Sequence, residues 1–258
     1  MNIIAPEFDT ATREALAELL LTVADDEFVI GFWDSEWTGI APILEEDVAT
    51  SSIAQDEIGH ANALYGLLAD LTGGDPDRIA FGRPAEAFRH AALLNHARGD
   101  WAFSVCRRWL YESADAVRLE ALGRSAWEPL AALVGKMRRE ETYHWLHVET
   151  WLARLAASDD VRPRLAPALD RLWPDAHAVF APLAGDARLV VAGILPEPMA
   201  ALCDRWSAAA SDALRRHGLE VPAGLEADPS GRTRRTDDFA WLHGEFTMVA
   251  GSQAGATW

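Results

Sequence analysis

Apolar residues recur at helical spacing nearly from one end of the chain to the other, and no stretch keeps the alternation and β-branched enrichment of a strand. The pattern predicts an all-α protein. A first helix covers about residues 11–37 and ends near Pro42, and a second covers about residues 43–71. Gly73 and Gly74 stop the second by supplying the left-handed conformation of a C-terminal cap. A connection of roughly 25 residues follows, broken by Pro76, Pro84, Asn95 and Gly99, with one short helix predicted at 85–94. A third helix, about 100–122, ends at Gly123, and a fourth, about 125–157, begins almost at once, so these two are antiparallel neighbours.

Short, long and short connections are what a four-helix bundle with one long crossover requires, because the second and third helices then run parallel across the bundle. That is the ferritin-like connection. After Asp160 the pattern weakens: Pro163, Pro167 and Pro174 interrupt one helical segment, 196–217 forms another, 224–235 reads as polar loop and 237–250 as a last helix. With no internal repeat and no linker-like shift in composition, residues 1–258 read as a single domain. The bundle occupies 1–160 and accessory helices occupy 161–258.

Four carboxylates interrupt the inward stripes of the bundle helices. On the second helix the stripe runs Ile53, Glu57, His60, Leu64, Leu67, and on the fourth Leu130, Val134, Met137, Glu141, His144, Val148, Trp151. Glu27 lies between Leu20, Val23 and Ile30 on the first helix, and Glu112 between Val105, Trp109, Ala116 and Leu119 on the third. A buried carboxylate is costly unless paired or metal-bound, and four facing one another repel strongly. Something positive must therefore sit between them. At ~1.5 Å rise per residue the four converge near the middle of the bundle. One Glu from each of two helices plus Glu-x-x-His from each of the other two is the ligand set of di-iron and di-manganese carboxylate bundles. Hard carboxylates with two imidazoles suit Fe or Mn better than Zn or Cu. The expected ligands are Glu27, Glu57, His60, Glu112, Glu141 and His144. Asp56 and Glu140, directly preceding two of them, are expected to accept the free ring N–H of a ligand histidine.

The remaining histidines, at 90, 96, 147, 177, 217 and 243, have no partner at ligand spacing and read as surface or ordinary core. Trp101, Trp109, Trp127, Trp145 and Trp151 read as bundle packing. Cys106 and Cys203 form no CxxC and read as buried thiols, with no disulfide framework.

The 258 residues are 50% hydrophobic and 24% charged, which excludes disordered and low-complexity classes. A formal charge of -17 argues against nucleic acid as a partner. The apolar stretch at 19–23 is flanked by Glu18, Asp25, Asp26 and Glu27, and no run nears the roughly 18 apolar residues of a membrane span. The expectation is a soluble cytoplasmic protein with no membrane contact.

Several blocks resemble the phenylacetyl-CoA 1,2-epoxidase subunits, the ring-oxygenase family of aerobic phenylacetate degradation. The segments 37–49 (Trp-Thr-Gly-Ile-Ala-Pro-Ile-Leu-Glu-Glu-Asp-Val-Ala), 79–83 (Ile-Ala-Phe-Gly-Arg), 109–113 (Trp-Leu-Tyr-Glu-Ser) and 235–245 (Arg-Thr-Asp-Asp-Phe-Ala-Trp-Leu-His-Gly-Glu) resemble the C-type subunits of that family. The metal motifs at 55–60 (Gln-Asp-Glu-Ile-Gly-His) and 140–144 (Glu-Glu-Thr-Tyr-His) are similar instead to those of the catalytic, A-type subunits, with Glu112 where those have an Asp. Typical C-type chains have lost several ligands and support the catalytic partner structurally, whereas this sequence keeps all six.

The resemblance implies a two-iron oxygenase component, with Mn as alternative metal, that forms an epoxide on an aromatic acyl-CoA. It also implies a paralogous ferritin-like oxygenase subunit and a separate reductase as partners, in a homo- or hetero-oligomer. Two other readings stay open: a structural subunit of the same complex, and a stand-alone di-metal oxidase on another substrate.

Overall fold

The first helix, α1 (Thr10–Ser35), begins where the Asp9 carboxylate accepts the Thr12 N–H, and the next, α2 (Leu44–Thr72), carries Glu45, Glu46 and Asp47 against its N-terminal dipole. Between them the chain turns at Gly39, with φ of 83°, and Asp47 accepts the N–H groups of Gly39 and Ala41. Gly73, with φ of 76°, closes α2 as expected. The computed structural model describes residues 8–223 and 231–252, and within these it is all-helical, a ferritin-like bundle.

The crossover contains α3 (Pro76–Phe81), capped by Asp75 and started by Pro76, a helix not predicted from periodicity because it is only six residues long. Where one helix was predicted at 85–94 there are two separate 3₁₀ turns, Ala85–Ala87 and Ala92–Asn95, with extended backbone between them. That stretch uses its backbone N–H groups on α1: Arg89 and Ala91 donate to Asp25 and Asp26. The crossover is further fixed by Trp33, whose indole N–H donates to the Leu94 carbonyl at 2.9 Å.

Helices α4 (Trp101–Leu122) and α5 (Glu128–Ala156) form the second pair, α4 starting at the Asp100 cap and α5 with Pro129 in its first turn. The fourth helix thus begins three residues later than predicted, since 125–127 form the turn that is pinned by the Gly193 carbonyl to the Ala126 N–H. Beyond it lie α6 (Leu165–Ala176), α7 (Asp186–Val191), α8 (Met199–Arg216) and α9 (Asp237–Ser252). Of these α7 was not predicted. Helices α6 and α8 pack on α4, and α7 and α9 on α1.

Covered by α2, α7 and α9, α1 is buried on nearly every side and has almost no polar face. Its run Asp25-Asp26-Glu27 is fully buried. Successive helical residues point about 100° apart, so each acid needs its own cationic neighbourhood. Asp25 takes Arg83 and the Tyr65 hydroxyl. Asp26 takes Arg118 and Arg232. Glu27 faces the bundle centre. Among the described residues no helix is long and apolar enough to cross a membrane.

Candidate metal centre

Gly31 brings α1 and α2 together at the level of the centre, its missing side chain leaving room for Ile58 and the Glu57 stem. Across the bundle α5 supplies Glu141 and His144, and α4 supplies Glu112. All six predicted residues are buried and meet in two quartets, Glu27, Glu57, His60, Glu141 and Glu57, Glu112, Glu141, His144. Within each, one ligand-type atom per residue lies within 4.8 Å of every other, and Glu57 and Glu141 belong to both.

The histidines present Nδ1 to the carboxylates. His60 Nδ1 stands 3.3 Å from Glu27 and 3.1 Å from Glu141, and His144 Nδ1 stands 3.2 Å from Glu57 and 3.4 Å from Glu141. Their other nitrogens are held crosswise: His60 of α2 donates through Nε2 to Glu140 of α5 at 2.7 Å, and His144 of α5 to Asp56 of α2 at 3.2 Å. The structure thus brings Asp56 and Glu140 to the rings, each serving the histidine of the opposite helix. Such carboxylates fix the ring plane and tautomer of a metal-binding histidine.

Periodicity alone did not reveal the residue that lies inside the second quartet. Arg108, one helical turn before Glu112, pairs through Nη1 with Asp34 and through Nη2 with both Glu57 and Glu112, and that nitrogen is 3.5 Å from His144 Nδ1. The i, i+4 spacing from Glu112 was the available signal. In the first quartet Tyr111 donates to Glu27 Oε1 at 2.8 Å. The guanidinium nearest Glu27, that of Arg118, stands 3.9 Å from that same oxygen and is held by Asp26 and Asp115.

Burial and repulsion from Glu57 and Asp115 push the Glu27 carboxyl well above its ordinary range. Burial does the same to Glu112, aided by Glu141 and Glu57 against the pull of Arg108. Burial also acts upward on Glu57, but the Arg108 charge and the His144 hydrogen bond outweigh it and hold the carboxyl far below that range. Burial and Glu57 act upward on Glu141, yet hydrogen bonds with His144 and His60 bring it down. Against burial, Glu141 and Glu27 push His60 up to about 12, and Glu141 and Glu57 push His144 up to about 11. Protons and one guanidinium thus neutralise the metal-free cluster.

The donor set fits a pair of hard divalent ions. Glu57 Oε2 is buried with no hydrogen-bond partner, and Glu112 Oε1 and Glu141 Oε1 are buried with only unaligned ion-pair contacts to Arg108 and His60, so carboxylate oxygens remain for a cation to take. Beside Arg108 and Asp34 lies a cavity of about 30 Å³, walled by Trp37, Trp101, Val148 and Trp151. The other histidines stay outside both quartets, for example His147 on Glu46 and His217 on Glu149. Cys106 and Cys203 are free buried thiols, as expected.

The sequence is 29% identical over 209 residues to the C-type subunit of the 1,2-phenylacetyl-CoA epoxidase of Escherichia coli (strain K12), covering 80% of this chain and 84% of that protein. It is 27% identical over 176 residues to the A-type subunit of the same organism's epoxidase, covering 67% of this chain and 56% of that relative. The model of the phenylacetic acid catabolic protein family matches residues 4–258. A match over nearly the whole chain, bundle and accessory helices alike, makes this protein a member of the phenylacetic acid catabolic protein family.

Proposed function

We propose that the chain is a dioxygen-activating component of a multicomponent epoxidase for an aromatic acyl-CoA such as phenylacetyl-CoA, in phenylacetate breakdown. The metal centre is two iron ions, with manganese as the alternative, held by Glu27, Glu57, His60, Glu112, Glu141 and His144. The observation that carries the reading is the pair of buried quartets sharing Glu57 and Glu141. When bound, the iron pair supplies the redox chemistry that activates dioxygen.

The chain's own residues hold and orient. Glu57 and Glu141 stand where each can give an oxygen to both half-sites, and Glu27 and Glu112 close the outer ends. Glu140 and Asp56 keep the two imidazoles in register, and Tyr111 fixes Glu27 through the oxygen that does not face His60. Burial keeps bulk water out. In the overall reaction one oxygen atom of O2 enters the ring and the other leaves as water, with two electrons from a separate reductase and two protons from solvent.

A second reading is a structural role beside a catalytic paralogue, and the cavity favours it. About 30 Å³ holds a water-sized or dioxygen-sized molecule, whereas a benzene ring occupies an engineered cavity of roughly 150 Å³. Under the first reading the acyl group is therefore accommodated from the partner side or after side chains at the cavity move.

Metal analysis of protein purified anaerobically with iron, together with Glu57→Ala in the reconstituted complex, tests the two. About two ions per chain, retained association and lost O2-dependent turnover support the oxygenase. Surviving turnover makes the chain structural.

A further inference from the structure

The two halves of the centre are chemically unequal. In the half-site of Glu27, Glu57, His60 and Glu141 a guanidinium reaches only the shared Glu57, through Oε1, and the one nearest Glu27, Arg118, stands 3.9 Å from its outer oxygen and is committed to two other acids. The half-site of Glu57, Glu112, Glu141 and His144 contains Arg108 itself, donating to Glu57 and paired with Glu112. A metal ion in this half-site needs the same carboxylate oxygens that Arg108 Nη2 holds, Glu57 Oε1 and Glu112 Oε1, so ion and guanidinium compete for one position.

Arg108 also has somewhere to go. Its other terminal nitrogen already pairs with Asp34, which is 4% exposed and has Arg107 4.0 Å away as its only other guanidinium neighbour among the described residues. Asp34 and Arg108 both line the cavity of about 30 Å³ next to the half-site. A retreat of the guanidinium into that space, keeping Asp34 as partner, frees Glu57 and Glu112 without leaving a buried cation unpaired.

We propose that Arg108 is a resident cation of the second half-site, so that the centre loads in order: the first ion enters between Glu27, Glu57, His60 and Glu141, and the second displaces Arg108 towards Asp34. The proposal rests on the di-metal reading above. It makes Arg108 and Asp34 positioning residues that set the affinity gap between the two ions.

The test is Mn(II) binding to the full chain, followed by calorimetry and by low-temperature electron paramagnetic resonance, which separates isolated from exchange-coupled ions. Wild type should bind in two steps, an isolated-ion signal at one equivalent giving way to a coupled signal at higher concentration. The second step should be about ten- to hundredfold weaker, the factor that follows from giving up charge-assisted hydrogen bonds. Arg108→Gln should tighten the second step and close the gap, while Asp34→Asn, which removes the place of retreat, should weaken the second step and leave the first. Two equal ions in wild type with no response to either substitution would overturn the ordered loading but leave the di-metal reading intact. No Mn(II) bound by wild type or Arg108→Gln would overturn the di-metal reading itself. Should Arg108→Gln not fold, an unchanged second step in Asp34→Asn is sufficient to reject the proposal.

Discussion

Gly31 on α1 and Glu57 on α2 lie so close that a β-carbon on Gly31 would stand 3.1 Å from that of Glu57, and only 2.9 Å from Ile58 Cγ1. The contact sets how far α2 can approach α1 at the level of the ligands. Gly31→Ala should therefore push the helices apart, costing about 1–3 kcal/mol despite the better helix propensity of alanine. Because Glu57 moves with α2, metal binding should weaken too. Gly135 on α5, where an added β-carbon meets nothing within 4 Å, is the control. There the same change should stabilise by up to about 1 kcal/mol. Urea unfolding and Mn(II) titration of both variants check the pair.

Metal uptake should release protons. His60 and His144 are held at about 12 and about 11 in the metal-free centre, so both are cationic at neutral pH, and a metal ligand must be neutral imidazole. Apparent affinity should rise with pH between 6 and 8. Calorimetry in buffers of different ionisation enthalpy should show net proton release, and a buffer-independent heat would contradict it.

His90 is buried without charge, its Nε2–H donating to Asn95 Oδ1 at 2.9 Å. Burial and the nearby Arg235 charge depress it well below its ordinary value. The unfolded chain takes up this proton below about pH 6.5 and the folded chain does not. Stability from this group is therefore complete above about 6.5 and falls as the pH drops towards the folded value, by at most ~1.4 kcal/mol per unit. His90→Gln should flatten the difference between urea midpoints at pH 7.5 and pH 5.5.

Arg118 joins α4 to α1 by pairing Asp26 with Asp115 and donating to the Tyr111 hydroxyl at 3.2 Å. Asp115 has no other cation among the described residues, and burial raises it to about 7 even with Arg118 present. Arg118→Met should cost about 3–5 kcal/mol, the range for stranding a buried charge. Adding Asp115→Asn should recover part of that loss. A double-mutant cycle in urea, with no coupling between the two sites, would refute the pairing as a source of stability.

The bundle was readable in the sequence because its four helices are long and their ligands interrupt apolar stripes at fixed phase. Short elements were not: α3 and α7 have six residues each, too few for a 3.6-residue period to emerge. The turns at 85–95 were misread as a helix because their composition is helical while their N–H groups serve Asp25 and Asp26, partners that only the tertiary fold supplies. Glu27, Glu57, Glu112 and Glu141 were placed together by asking what could neutralise them. Arg108 was missed because an arginine on a core stripe reads as an exposed flank until its carboxylates are seen around it. Part of 224–235, read as polar loop, lies outside the described residues, but Arg232 within it is buried on Asp26.

That last pairing joins residues 206 positions apart. A ribosome adding about 5–20 residues per second delivers Arg232 some ten to forty seconds after Asp26, and α1 must spend that interval with one of its acids short of a partner. The final packing of α1 waits on a residue translated long after it, so a chain stopped before Arg232 should be cleaved by added protease faster than one that includes it.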